Sequence, residues 1–211
     1  MSHLPVVVGV TGASGALYAK RTLSALAAAG REIHVVVSPS ARLVFRAELG
    51  VAVDDSPNSL AKALGLQGAV REWRCDNLAA RVASGSFLTG GMVIVPCSMS
   101  TLAAVAHGQG VNLIHRAADV HLKERRRLIV VPRETPLSLV AIENMARLTR
   151  AGGVVLPAMP GFYHGANTID DLVDFVVARI CDQLGVENQL VRRWGGRSPE
   201  RPNADAAGDV N

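Results

Sequence analysis

The chain has 211 residues, 49% hydrophobic and 19% charged, with 22 basic against 18 acidic residues and a net charge of +4. That balance excludes a disordered chain and suits one α/β domain with a substantial core. The apolar runs are short and broken by Gly, Pro or charge, which argues against a membrane span, while three cysteines at unrelated spacings (Cys75, Cys97, Cys181) form neither a disulfide framework nor a zinc pattern.

The N-terminal "MSHLPVVVGV" lacks the charged start and cleavage pattern of a signal peptide, so a reducing cytoplasm is expected. The first strand-like run, "PVVVGVT" (5–11), leads into "TGASG" and a helical stretch near 15–29. A strand that ends in Gly-rich sequence and opens a helix presents free backbone N–H groups to an anion, here with the Ser14 hydroxyl beside them. "EIHVVVS" (32–38) ends at Ser38 before Pro39, an N-cap and first-turn pair for a helix over 39–48. Glu48 falls in the last turn of that helix, ahead of Gly50, where an acid opposes the dipole. Most such acids are simply solvated. A weaker run at 69–73 adds a short strand.

"GMVIVPC" (91–97) leads into "PCSMST", which puts Ser98, Met99, Ser100 and Thr101 at the start of a helix over 98–107. The next helix, 112–124, carries Arg116, Asp119 and Lys123 at i, i+3 and i+7 on one face. Spacing alone favours a surface ion-pair face there and leaves open a pair of ligand-facing cations. The run "KERRR" (123–127) suits a helix end, where cations complement the dipole, and no RNA-type aromatic motif accompanies it; no nucleic acid is expected. "RLIVVP" (127–132) ends in "VPRETP", bringing Arg133 and Glu134 to the rim ahead of a helix over 138–150. "GGVVLP" (152–157) is followed by "PAMPGFYH", a Pro-stiffened loop with Tyr163 and His164.

The last helix, 168–184, is capped by Thr168 with Asp171 three residues on. Ile169, Leu172, Val173, Val176, Ile180 and Leu184 recur at helical spacing, and Arg179 lies along that stripe. It is either a snorkelling Arg whose stem covers core or one aimed into a ligand cleft. After Trp194 the sequence "GGRSPERPNADAAGDVN" has almost nothing to bury. The expectation is one domain over 1–194 and a mobile tail over 195–211.

Strands nearly continuous in Val, Ile and Leu, alternating with helices, predict a doubly wound parallel sheet. Ligands of such sheets sit beyond the carboxyl ends of the strands, and here those ends collect hydroxyls, backbone donors and arginines. That combination predicts a phosphate-bearing ligand. A dinucleotide site wants further glycines in the first turn and an acid at the end of the second strand. Here Ala16 and Leu17 follow Gly15, and the second strand ends in Ser38. A mononucleotide such as FMN fits better than NAD(P). His107, His115, His121 and His164 show no metal-ligand spacing, so no metal is expected.

The segments "GVTGASGALY", "HVVVSPSARLV", "MVIVPCSMSTLAAVAHG", "NLIHRAADVHLKERRRLIVVPRETPLS", "PAMPGFYH" and "DLVDFVVARICDQLG", in this order, resemble the UbiX-type flavin prenyltransferases. The longest and most specific are "AADVHLKERR" and "VPRETP". The resemblance implies a flavodoxin-like Rossmann fold and a homo-oligomer, typically a dodecamer. It implies a metal-free reaction joining a dimethylallyl group, from dimethylallyl phosphate, to reduced FMN at N5 and then C6, with the product passing to a UbiD-type decarboxylase. By motif, Gly12, Ala13, Ser14, Ser38, Ser98, Met99, Ser100, Thr101 and Arg133 look like FMN contacts. Lys123, Arg133, Tyr163 and Arg179 are similar to the family's binders of the prenyl phosphate, with Arg116 assisting from a neighbouring subunit and Trp194 matching an aromatic near the prenyl site. Glu134 resembles the acid/base partner, and Glu48 and Ser14 resemble residues that assist transfer and cyclisation. Some members carry a second Trp ahead of the "SGS" segment, where this chain has Leu78.

Two other readings of the residues remain at this stage. A flavin-dependent cysteine decarboxylase of the same fold carries a "PASANT"-type segment in place of "PCSMST", and a catalytic His without a counterpart here. A non-catalytic flavin-binding subunit of a decarboxylase needs only the flavin contacts, whereas Lys123, Glu134, Tyr163 and Arg179 are all present.

Overall fold

The Val- and Ile-rich runs form the strands of a single sheet. In the computed structural model, which describes residues 4–192, these are β1 (Val6–Val10), β2 (Ile33–Val37), β3 (Val70–Trp73), β4 (Gly91–Cys97), β5 (Leu128–Pro132) and β6 (Val154–Val155). Their spatial order is β3-β2-β1-β4-β5-β6, and every pairing is parallel. With the edge strand β3 set aside, the order is that of flavodoxin-like sheets; with β3 included, it is that of dinucleotide-binding Rossmann sheets.

Among the described residues, seven α-helices cover the two faces: α1 (Ala16–Ala28), α2 (Pro39–Leu49), α3 (Ser59–Leu64), α4 (Met99–Ala106), α5 (Leu113–Lys123), α6 (Leu139–Arg150) and α7 (Ile169–Gln183). The two-residue period of a strand sorts the core. Val6, Val8 and Val10 of β1, with Val93 and Val95 of β4, pack against Leu23 and Leu26 of α1, Phe45 of α2 and Val176 and Ile180 of α7. Val7, Met92 and Ile94 point the other way, onto Leu102 of α4, Ile114 and Ala117 of α5 and Leu148 of α6. Fully burying a large apolar side chain of this kind contributes about 1.5–3 kcal/mol relative to exposure, so β1 and β4, apolar on both faces, anchor the core.

The expected caps form. Ser38 accepts from Ala41 N–H, Ser98 from Thr101 N–H, and Thr168 with Asp171 closes a reciprocal capping box. Two elements differ from expectation. The strand expected over 152–157 reduces to Val154–Val155, because Pro157 has no N–H to continue a ladder; Leu156 and Ala158 still donate to β5 carbonyls at 2.8 and 3.0 Å. The helix α3 has no local signal strong enough to announce it. Its first turn is held from a distance by the Glu72 carboxylate of β3, which accepts from Leu60 and Ala61 N–H at 3.2 and 2.8 Å. No helix among the described residues is long and apolar enough to cross a membrane. Cys97 and Cys181 are buried, Cys75 is half-buried, and all three are free thiols.

Candidate active site

The chain leaves β1 toward β2 on one side and returns with β4 on the other. Such a reversal opens a crevice beyond the carboxyl ends of the two neighbouring strands. The turn from Thr11 to Gly15 lines one wall and the start of α4 lines the other. Gly12 is required by packing: a Cβ there would stand 2.5 Å from Ser40 Cβ in the first turn of α2. Gly15 turns the chain into α1 with φ +121, a conformation that side chains rarely adopt. Ala13 between them is buried and Ser14 is exposed.

The backbone donors at the start of α1 do not wait for an external anion. The Glu48 carboxylate reaches across from the last turn of α2 and accepts from Gly15 N–H at 3.0 Å and Ala16 N–H at 2.7 Å. An acid that opposes the dipole of its own helix thus completes the N-terminus of another, where negative charge is favoured. Partial burial pushes the Glu48 carboxyl up, but the Ser14 hydroxyl, the Ala16 and Gly15 N–H groups and the Arg133 charge together hold it below the ordinary carboxylate value. Arg133 follows β5 and donates from Nε to the Ser14 carbonyl at 3.0 Å. Ser14, Glu48 and Arg133, distant in sequence, therefore meet at one point. The N–H groups of Gly15 and Ala16 are thus already bonded, and Glu48, though exposed, is tied to a second helix as well as to solvent.

The start of α4 is arranged differently. Ser98 Oγ accepts from Thr101 N–H and lies 3.1 Å from the hydroxyls of both Ser100 and Thr101. Met99 tucks its side chain against the core below, which leaves the first turn's backbone N–H groups and the hydroxyls facing the crevice end of the helix. Ser38, almost fully buried, is committed to capping α2 and lies 3.3 Å from Ser40 Oγ. Glu134 does not pair with Arg133. It is exposed, and its Oε1 accepts from Thr135 N–H at 3.1 Å.

The remaining candidates form two separate groups. Tyr163 meets Phe175 edge-on, with ring centroids 5.7 Å apart, and the Arg179 guanidinium lies over the same ring at 5.7 Å. His164 stacks on that ring too, at 5.2 Å. Phe175 thus gathers two of the residues expected to hold prenyl phosphate, and sequence reasoning missed it because it looks like one more apolar position on α7. Arg179 pairs with Asp182 at 3.3 Å, and its Nε is buried without a hydrogen-bond partner.

Arg116 and Lys123 lie apart from both groups. Arg116 pairs with Asp119 at 2.7 Å and donates to the Ala83 carbonyl, while Lys123 pairs with Glu124 over the backbone of Gly85. The Arg116–Asp119 part of the ion-pair face that spacing favoured is therefore present, while Lys123 turns to its neighbour Glu124 instead. Lys123 closes α5 shortly before β5 begins at Leu128, so it lies toward the amino ends of the strands, whereas Arg133 follows their carboxyl ends. Leu78 is half exposed in the turn ahead of Arg81, and Trp194 lies outside the described residues. Among the described residues no group of three or more His, Cys, Asp or Glu could hold a metal ion.

The Flavoprotein family model matches residues 1–181. A flavin prenyltransferase UbiX of Halalkalibacterium halodurans is 47% identical over 189 residues, 89% of this chain and 92% of that protein. AnUbiX, crystallised in complex with FMN and dimethylallyl pyrophosphate, superposes with a TM-score of 0.83 at 42% identity, over 93% of this chain and 100% of that one. A dodecameric FMN-dependent UbiX-like decarboxylase from Escherichia coli O157:H7 gives 0.82 at 42%, over 92% and 100%. The chain belongs to the Flavoprotein family and, within it, to the UbiX-type flavin prenyltransferases.

Proposed function

We propose that the chain joins the dimethylallyl group of dimethylallyl phosphate to reduced FMN, making prenylated FMN for a UbiD-type decarboxylase. The reading is carried by the junction of Ser14, Glu48 and Arg133 beside the hydroxyl-rimmed start of α4, on the frame of a protein crystallised with both FMN and dimethylallyl pyrophosphate. The donors of α1 are held by Glu48 and those of α4 stand among hydroxyls, so the crevice suits a ligand with a single phosphate monoester. FMN has one. The pyrophosphate of a dinucleotide would meet the Glu48 carboxylate instead of free N–H groups.

When bound and reduced, FMN supplies an electron-rich ring for attack on the prenyl carbon. The chain's own residues bind and orient. Arg133, Tyr163 and Arg179 offer donors to the prenyl phosphate, whose negative charge grows as its C–O bond breaks; converging cations stabilise that charge best in a site shielded from water. Arg116 and Lys123 join them from a neighbouring copy, since within one protomer α5 carries Lys123 away from the crevice. A homo-oligomer, a dodecamer like the E. coli neighbour, supplies that copy. Glu134, exposed and bonded through one oxygen to Thr135 N–H, is free to take up and return the protons that ring closure requires. Ser14 and Glu48 hold the flavin-facing turn in place. Free thiols at Cys75, Cys97 and Cys181 suit a reducing cytoplasm.

The test is mass spectrometry of the flavin after anaerobic incubation of the protein with reduced FMN and dimethylallyl phosphate. The expected result is FMN carrying one added five-carbon unit. Recovery of unchanged FMN under these conditions, or a titration in which NADPH binds tightly and FMN does not, rejects the proposal.

A further inference from the structure

Thr11 lies between the two walls of the crevice, and nothing in the reaction accounts for it. It is buried, 3% exposed, so its hydroxyl is not available to a ligand. The β1–β4 ladder runs in register from Val6 opposite Gly91 to Gly9 opposite Ile94 and goes no further. On its other side β4 shifts register against β5, between Ile94 and Cys97. Pro96 sits in the shifted stretch and has no N–H to give to a neighbouring strand, which is why proline inside a sheet is found at such irregularities.

Thr11 replaces the missing ladder bonds with its side chain. Its N–H and its hydroxyl both donate to the Pro96 carbonyl, at 3.3 and 2.8 Å. The same hydroxyl oxygen accepts from Ser98 N–H at 2.8 Å. One buried side chain therefore fixes the residue that caps α4 relative to the turn that opens α1. Because Ser98 N–H is held inward by Thr11 and Thr101 N–H by Ser98 Oγ, the intervening N–H groups of Met99 and Ser100 are the ones presented at the helix start.

We propose that Thr11 is a positioning residue for phosphate recognition: it sets the angle and height of the α4 start against the α1 turn, so that a flavin phosphate meets Met99 and Ser100 N–H and the neighbouring hydroxyls together. This rests on the reading of the α4 start as the FMN phosphate site. The inference separates two parts of the flavin, because only the phosphate end depends on the Thr11 clamp. Riboflavin, which lacks the phosphate, is the matching probe.

The experiment titrates FMN and riboflavin into the wild-type protein and into Thr11→Val and Thr11→Ser, following flavin fluorescence. Thr11→Val keeps the shape and removes the hydroxyl, leaving Ser98 N–H without its partner. The expected loss is about ten-fold in FMN affinity, the equivalent of one hydrogen bond of about 1.4 kcal/mol, with riboflavin affinity unchanged. Thr11→Ser keeps the hydroxyl and should bind FMN within about two-fold of wild type, well inside one such bond. If Thr11→Val does not fold, Thr11→Cys, with a weaker donor and acceptor, should show a smaller loss confined to FMN. Equal losses for both flavins, or none for either, overturn the positioning role while leaving the phosphate site intact. Wild-type protein that binds riboflavin as tightly as FMN overturns the phosphate site itself, and the role of Thr11 with it.

Discussion

Removing the Glu48 carboxylate should destabilise the fold in a way that depends on pH. In the folded protein this carboxylate accepts from Gly15 and Ala16 N–H and stands near Arg133. Hydrogen bonds to a charged group contribute about 1.5–3 kcal/mol each, and an anion at a helix N-terminus adds about 0.3–1 kcal/mol. The group is exposed, so solvent screening reduces these figures to about 1–2 kcal/mol in total for Glu48→Ala. For a domain of this size that is a fall in Tm of about 3–6 °C at pH 7. The folded carboxyl titrates below its ordinary value of 4.5, so the unfolded state takes up the proton first as pH drops. The stabilisation is therefore complete above about pH 5.5 and is lost as pH falls through the folded pKa. Thermal melting of wild type and Glu48→Ala across pH 3 to 7, in buffers of about 0.1 M ionic strength, measures the gap directly. A gap that is absent at pH 7, or that stays constant down to the lowest pH, would refute the cap.

Glu134→Gln should fold and bind FMN normally, since the side chain makes only the local bond to Thr135, yet it should slow formation of prenylated flavin about 10²–10⁴-fold, the usual contribution of an acid–base group; a normal rate removes Glu134 from the chemistry. Lys123→Ala and Arg133→Ala should each be inactive alone, and coassembled mixtures should regain part of the activity, because a mixed interface can present an intact Lys123 from one copy to an intact Arg133 of another. No recovery in mixtures shown to exchange subunits would place both residues in one protomer's site. His121 donates from Nδ1 to the Ala117 carbonyl at 2.7 Å and so accepts at Nε2 from the Thr89 hydroxyl at 2.8 Å; burial pushes it down to about 4 against the Ala117 bond, and Arg126 pushes the same way. The unfolded chain then binds the proton near pH 6.5, so stability should fall between about pH 6.5 and 4. An NMR titration that finds this ring protonated at pH 6 contradicts its burial as a neutral group.

Most of the fold was legible because its signals are local. Val, Ile and Leu runs marked β1, β2, β4 and β5, and Ser38, Ser98 and Thr168 marked helix starts that the structure caps with those same side chains. What escaped depends on contacts between residues far apart in the chain. Glu72 caps α3 from the neighbouring strand, and Glu48 caps α1 from a helix that ends more than thirty residues later. From its own surroundings Glu48 looks unfavourable, and only the fold reveals the second helix it serves. Phe175 is an unremarkable member of an apolar stripe until Tyr163 and Arg179 arrive on its ring. Thr11 stood in a quoted motif whose glycines drew the reading, although its importance comes from a register shift in a strand 85 residues away.

The strand order taken alone points away from the chosen ligand class, since a sheet ordered β3-β2-β1-β4-β5-β6 commonly holds dinucleotides. The charges at the helix starts resolve the conflict. Such a sheet brings α1, α2 and α4 to the same edge, and each presents N–H groups that attract an anion. Ser38 closes α2 with a neutral cap, so it carries no acid for a ribose. Glu48 closes α1 with a negative one, and a second phosphate placed there would have to displace a carboxylate held by two N–H groups beside a guanidinium. The start of α4, capped by a neutral hydroxyl and clamped from within by Thr11, holds no such acid and is the one that the proposed function assigns to a single phosphate. Arg133 gains from the same arrangement. Its Nε is held by the Ser14 carbonyl, and a guanidinium bound through Nε keeps further donors on its fork for the charge of a leaving phosphate. On the proposed reading, one carboxylate from α2 limits the nucleotide to a single phosphate and stands beside the cation that would meet the prenyl phosphate.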